Sequence, residues 1–407
     1  MKTKVTAPNF LCIASFFKGV AFMRTLKECG ANVYLLTSYK LKDREWPFDA
    51  IDSVFYGAQD ADGRWNMQNV TEGLAYTLRS INIDRIVALD DFDVEKATFL
   101  REHFRIPGMG ITTGNYFRDK LAMRMRAAEA GIKVPAFTAL FNDHAIVKFL
   151  ETTAAPWLIK PRKEASATGI KKLHTPEEFW HAIHQLGDQR HQYLAEQFKP
   201  GHVYHVDAIT DGGKVKFAHA SRYLTTPLEV SHDGGIFRSV SLEEKSEEAQ
   251  ALFPVNEAIM HAFGMNYSAS HTEFIKCFED GQVYFLETSS RVGGAHLAEM
   301  VEAATDINLW KEWARLEYAN ATKTKFKLSK QHKKHAGIIV SLTRQQQPDT
   351  STFVDKEIWW RLKMDNHIGF IVQATSANKI HELLDRYAQR IVSEFHASAP
   401  PANKTIN

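Results

Sequence analysis

The sequence predicts a multidomain chain of mixed α/β and α+β type, and three observations carry that expectation. Apolar strand-like runs alternate with amphipathic helical stretches near the N-terminus. Farther on, paired strand patterns flank Asp-Gly turns, the mark of antiparallel hairpins. At 407 residues the chain is also longer than one hydrophobic core usually serves.

Asn9 to Ser15 reads as a buried strand, followed by a helix through Val20, Met23 and Leu26 that stops near Gly30. Val33 to Leu36 then forms a second strand. A helix around Val70 to Leu78 precedes Ile83 to Leu89, an apolar strand followed by Asp90, Asp91 and Asp93 at the expected carboxyl edge of a parallel sheet. This alternation makes residues 1–115 Rossmann-like. The first strand-to-helix turn, Ser15 to Gly19, lacks the G-x-G-x-x-G pattern, so no dinucleotide site is expected there. The acidic trio reads as an exposed strand-end loop and receives no role.

A helix from Asp119 puts Leu121, Met125 and Ala128 on one face and closes at Gly131 before Val134 and Pro135. Trp157 to Lys160 is a short strand, Pro161 to Gly169 a loop of small and polar residues, and Ile170 to Leu173 a returning strand. Thr175 then caps a helix with Pro176 at its first position, reaching about Leu186. After a strand at Tyr193 to Phe198 come two hairpins: Val203 to Ala220 about the turn Asp211-Gly212-Gly213, and His271 to Glu287 about Asp280-Gly281. Residues 116–320 are expected to form a two-lobed core divided near 190. Residues 321–407 are expected to form a small C-terminal α/β unit, whose helix carries Ile380, Leu383, Leu384, Tyr387 and Ile391 on one face, with disorder expected in the tail after Pro400.

Hydrophobic residues at 44% and charged residues at 24% exclude a disordered or fibrous chain, and a formal charge of +2 gives no broad attraction to nucleic acid or an anionic membrane. Small molecules are the expected partners. Cys12, Cys29 and Cys277 lack zinc-site spacing and are too few for a disulfide framework. The apolar stretch Phe10 to Phe17 is too short to span a bilayer and ends at Lys18, so a cytoplasmic location is expected.

The chemistry concentrates in the second hairpin, where the turn brings Glu273 and Glu287 onto neighbouring strands. Paired carboxylates repel unless a cation lies between them, and Mg²⁺ takes oxygen ligands from one or two carboxylates plus phosphates. Ser289 and Arg291 alternate onto the face of Glu287, and Arg291 suits a phosphate or carboxylate. Lys120 at a helix start and Lys160 at a strand end can converge on the same phosphates.

The order of these parts resembles the ATP-grasp superfamily over residues 116 to about 312. Asp119-Lys120-Leu121 looks like its opening helix, Ile159 to Ile170 like its strand and phosphate-covering loop, Leu194 to Gly201 like its adenine hinge, and Arg291 to His296 like the end of its metal strand. The resemblance implies ATP with Mg²⁺ or Mn²⁺. Lys120, Lys160, Ser166, Thr168, Gly169, Glu196, Gln197 and Phe198 would hold the nucleotide, and Glu273, Glu287 and Ser289 the metal. Arg291 and Lys160 would be catalytic, and Arg222, Arg238, Arg291 and Gly294 would meet the substrate, the first two from residues 221–238, which read as a polar, Gly-containing loop. The family's second metal strand usually reads Glu-x-Asn-x-Arg, whereas this chain has Ser289 at the central position, and Val203 stands where many relatives have an acid.

The implied activity is phosphorylation of a carboxylate to an acyl phosphate and its capture by an amine, with the 165–169 loop closing over the intermediate. Relatives with this arrangement include dipeptide-forming ligases, which makes an amino-acid substrate an expectation. Small-molecule carboxylate and amine partners follow, with a homodimer as one allowed assembly and neither nucleic acid nor membrane. A bicarbonate-using carboxylase of the same superfamily and a non-catalytic ATP-binding regulatory module stand as alternatives, the latter because of Ser289.

Overall fold

The computed structural model describes residues 7–60, 63–165 and 167–398. Ser166 and the tail after Pro400 lie outside them. The N-terminal unit contains β1 (Asn9–Ala14), α1 (Val20–Glu28), β2 (Asn32–Ser38), β3 (Ser53–Gly57), α2 (Met67–Thr77), β4 (Arg85–Ala88) and α3 (Val94–Phe104). Its four strands are parallel, in the order β3-β2-β1-β4. β1 is apolar at nearly every position because both faces are covered: Phe10 and Cys12 join a core with Phe22 and Leu26 of α1, while Leu11 and Ile13 join one with Val70, Leu74 and Leu100 of α2 and α3.

α4 (Ile111–Asn115) leads into α5 (Lys120–Glu129), capped by Asp119, whose Oδ1 accepts from Leu121 N at 3.0 Å. Next come β5 (Phe137–Ala139), α6 (Asp143–Thr152), β6 (Trp157–Pro161), β7 (Lys171–Leu173), α7 (Pro176–Leu186) and β8 (Tyr193–Gln197). The strands form an antiparallel sheet in the order β5-β8-β6-β7. Position 190 thus falls inside this element group, since β8 bonds β6. Thr175 Oγ1 accepts from Glu178 N at 3.2 Å at the start of α7, as its sequence signature requires.

The remaining elements are β9 (Gly201–Asp211), β10 (Lys214–Thr225), α8 (Pro227–Asp233), β11 (Phe237–Ser241), α9 (Glu247–Ala262), β12 (Tyr267–Cys277), β13 (Val283–Ser289), α10 (Leu297–Thr305), α11 (Leu309–Thr322), β14 (His335–Leu342), β15 (Ile358–Arg361), β16 (His367–Ala374) and α12 (Ala377–Glu394). Both hairpins enter one sheet of eight strands, ordered β13-β12-β9-β10-β11-β14-β16-β15. The C-terminal strands extend that sheet, and α12 packs its apolar face on them. The helix sits so close to β14 that a Cβ at Gly337 would come within 2.6 Å of Ile380.

One stretch differs from its sequence reading. Residues 221–238, read as a Gly-containing loop, are strand, helix and strand. Thr226 and Glu229 form a reciprocal capping box with Pro227 at the first position of α8, a signal the primary structure carries. No helix among the described residues is long and apolar enough to cross a membrane.

Candidate active site

A cleft of about 1150 Å³ separates the four-stranded sheet from one face of the eight-stranded sheet, with the carboxyl edge of the N-terminal sheet at one end. Lys120, Lys160, Thr168, Glu196, Glu273 and Glu287 all line it, as do Ser289, Arg291 and Gly294. The β12–β13 register sets Glu273 directly opposite Glu287, as the hairpin reading required. A register shift between Glu273 and Phe274 follows at once.

Glu287 Oε2 lies 2.8 Å from Lys120 Nζ. Burial works against the charge of Glu287, yet the Lys120 ammonium holds its carboxyl below the usual range. Glu273 Oε1 accepts from Tyr223 Oη at 2.8 Å and lies 3.6 Å from His271 Nε2. Ser289 is buried, and its Oγ has no hydrogen-bond partner. Two facing carboxylates and one unused hydroxyl are a hard-oxygen donor set that fits a divalent cation.

On the opposite wall, Glu196 is buried with both oxygens engaged. Oε1 accepts from Lys160 Nζ, and Oε2 accepts from Arg124 Nε at 3.0 Å. Burial pushes the Lys160 ammonium down to about 8 despite the opposing pull of Glu196. The adenine hinge needs one correction. Gln197 N already donates to Ala136 O at 2.8 Å and Phe198 N to Pro156 O at 2.9 Å, because both hold the end of β8 to its neighbours. Those two N–H groups are committed to the fold, and the next along the chain belongs to Lys199, which lines the cleft. Gly169 has φ +72°, a left-handed conformation that glycine adopts without strain. Lys120 Nζ also donates to Glu164 O at 2.7 Å, tying the loop that follows β6 to α5.

Arg222 and Arg238 are not brought into the cleft. Strand alternation puts Tyr223 and Phe237 on the cleft wall, so their neighbours face the other way. Arg238 Nη1 donates to Asp385 of α12 at 2.8 Å, and Arg222, half-buried, stands opposite Tyr204 of β9. The expected substrate role of both is therefore withdrawn.

Other residues in or beside the cleft had no role in the sequence reading. Asp91, from the acidic trio, accepts from Arg291 Nη2 across the boundary between the N-terminal unit and the core. Asp207, fully buried, lies 2.8 Å from His205 Nδ1 and 2.9 Å from His271 Nδ1. Burial disfavours an imidazolium at His271, but Asp207 and Glu273 push it up to about 10. Gly293 is required here, since a Cβ would stand 2.8 Å from Asp207 Oδ1. The group His205, Asp207 and His271 has the composition of a metal site, but its polar atoms pair with one another and with Ser239, so the network is satisfied without an ion. Alternation along β9 and β12 put His205, Asp207, His271 and Glu273 on one face, a signal available in the sequence.

No protein-family model matches the chain. It is 25% identical over 234 residues to an L-arginine-specific L-amino acid ligase of Bacillus subtilis, covering 56% of each chain. It is 25% identical over 190 residues to D-alanine–D-alanine ligase B of Chromobacterium violaceum, covering 46% of this chain and 61% of that one. The matched segment thus spans less than two thirds of either relative. Among solved structures, an L-amino acid ligase from Bacillus licheniformis superposes with TM-score 0.71 at 16% identity, over 96% of this chain and 98% of that one. An N5-carboxyaminoimidazole synthetase from Staphylococcus aureus, complexed with ADP, gives 0.70 at 14% identity, over 94% and 96%.

Proposed function

From the ATP-grasp fold to which this chain belongs, we propose that it is an ATP-dependent carboxylate–amine ligase, forming ADP and phosphate, with an amino acid among its substrates. The observation that carries the reading is the convergence of Lys120, Lys160, Glu273 and Glu287 on one cleft. Sequence relatives named as amino-acid ligases support the substrate class. The neighbour named as a carboxyaminoimidazole synthetase meets this chain by fold alone, so the bicarbonate alternative has less behind it.

A carboxylate is a poor electrophile because its charge is delocalised and its oxygen leaves badly. In the proposed reaction a donor carboxylate oxygen attacks the γ-phosphorus, ADP departs, and an acyl phosphate remains. The acceptor nitrogen then attacks the carbonyl carbon, phosphate leaves, and the nitrogen gives up its proton. Lys120, Lys160 and Arg291 offset negative charge on the transferring group, the main contribution a protein makes to this step. Glu273, Glu287 and Ser289 would hold Mg²⁺ or Mn²⁺, which when bound neutralises and orients phosphate oxygens. Glu196 keeps the Lys160 ammonium at the cleft wall, and the N–H of Lys199, a residue that lines the cleft, would meet the nucleotide ring.

The test is ADP release with amino acids supplied singly and in pairs. Release that requires an amino acid, with a peptide as product, is the expected result. Release that requires bicarbonate would select the carboxylase, and tight ATP binding without turnover across the panel would select the regulatory module.

A further inference from the structure

Resting on the ligase reading, we infer that Asp91 and Arg118 form a subsite for the carboxyl donor and select it as an α-amino acid, with its ammonium on Asp91 and its carboxylate on Arg118. Neither residue belongs to the lysine and carboxylate pattern of the nucleotide site. Asp91 stands in the turn after β4, at the carboxyl edge of the N-terminal sheet, and Arg118 stands just before α5. Open α/β sheets present ligands at that edge.

Both residues line the cleft while being more than nine-tenths buried, at 7% and 6% exposure. Each leaves a buried hydrogen-bonding atom unused, Oδ1 of Asp91 and Nε of Arg118. Native proteins leave few such atoms without a reason. The Arg118 guanidinium carbon lies 4.4 Å from the centre of the Phe92 ring, a cation–π contact that uses none of its N–H donors. A carboxylate needs such donors, and an ammonium needs an acceptor such as Asp91 Oδ1.

The open atoms argue against a phosphate of ATP as the occupant. Asp91 already carries the Arg291 guanidinium, so its Oδ1 acts as a hydrogen-bond acceptor, and an ionised phosphate has no proton to give it, whereas the ammonium of a zwitterion donates to Oδ1 while the carboxylate accepts from Arg118. The second oxygen of Asp91 accepts from Arg291, two residues beyond Ser289 of the metal strand. A carboxylate on Arg118 therefore lies toward the group that meets the transferring phosphoryl. The ammonium beside Asp91 stays protonated and cannot act as the nucleophile, so the amino acid bound here contributes its carboxyl to the new bond. The subsite would set the order of the product.

Hydroxylamine isolates this donor half, because its nitrogen attacks the acyl phosphate, releases phosphate and leaves a hydroxamate. L-alanine, L-leucine and L-phenylalanine are compared with the acids lacking only the ammonium: propionate, isocaproate and hydrocinnamate. For the wild type the amino acids should be preferred. Asp91→Asn, whose amide oxygen can still accept from Arg291, should raise the KM of the amino acids by about ten-fold or more relative to that of the simple acids. Arg118→Met should raise both by a similar factor, with the KM of ATP within about two-fold of wild type in each variant. An unchanged ratio of amino acid to simple acid in Asp91→Asn, or a raised ATP KM with donor KM unchanged in Arg118→Met, overturns the subsite and leaves the ligase reading standing. Thermal midpoints of the two variants identify a misfolded protein. In that case Asp91→Glu, which keeps the charge, should retain the preference that Asp91→Ser loses, and equal behaviour of the two overturns the assignment. If the wild type forms no hydroxamate from any acid, the ligase reading fails. Calorimetric titration with the same amino acids then judges the subsite alone: heat lost in both variants supports it, and heat unchanged overturns it.

Discussion

The two walls of the cleft satisfy their polar groups in opposite ways. On the four-stranded sheet and α5, Lys160, Glu196 and Arg124 form a buried cluster in which each charge has an opposite partner and only Arg124 Nη2 is left without a hydrogen bond. On the eight-stranded sheet and its margin, Ser289 Oγ, Arg291 Nε, Asp91 Oδ1 and Arg118 Nε are buried without one. The contrast teaches that a ligand meets the first wall by sharing or exchanging contacts, and the second by filling positions left open. The first arrangement keeps a costly buried charge in place, and in the proposed ligase the second would receive groups that arrive with ATP and substrate.

The largest expected effect lies on the open wall. Glu287→Gln should lower ATP turnover by about a hundred-fold or more while leaving the thermal midpoint nearly unchanged, because it removes metal-binding charge and little volume. Near-normal turnover would remove Glu287 from the site. Ser289→Ala, on the same wall, should raise the magnesium concentration for half-maximal velocity by about ten-fold, read from velocity against metal concentration.

On the closed wall the cost should appear as stability. Glu196→Ala leaves Lys160 and Arg124 as unpaired buried cations, a loss of about 3–5 kcal/mol by urea unfolding. A loss near zero would mean that the cluster is wetter than its burial suggests.

The closed wall also predicts opposed pH trends. Lys160 gives up its proton near pH 8, so kcat/KM for ATP should fall above that pH as a phosphate-attracting charge disappears. Stability should move the other way. Between about 8 and the ordinary lysine value of 10.5 the unfolded chain binds more protons at this position than the folded one, so its contribution to folding improves as pH rises. The difference between wild type and Lys160→Met across that range isolates the contribution, and parallel curves would refute it.

The smallest effect belongs outside the cleft. Arg222→Ala and Arg238→Ala should leave substrate KM within about two-fold, since Arg238 makes an exposed pair with Asp385 and neither arginine lines the cleft. A larger change would return them to the substrate site.

Much of this architecture was legible in residue order. The both-faces-buried run of β1, the Thr175-Pro176 cap, the hairpin turns and the apolar face of α12 each obey short-range rules of periodicity or capping. Glu273 opposite Glu287 was legible for the same reason, because a hairpin turn fixes which residues of its two strands meet. The capping box that makes α8 was equally local, although residues 221–238 read as a loop.

Contacts between distant segments were not legible. Asp91 and Arg291 are separated by 200 positions, and only the docking of the N-terminal unit on the core gives that acid a partner. Likewise, the N–H groups of Gln197 and Phe198 are withdrawn from the hinge by carbonyls at 136 and 156. The primary structure by itself determined the elements, their faces and the residue types that line the proposed nucleotide site, since these depend on near neighbours. Tertiary structure alone decided which polar atoms stay open for a ligand, because an atom's last hydrogen bond depends on whatever the fold brings beside it.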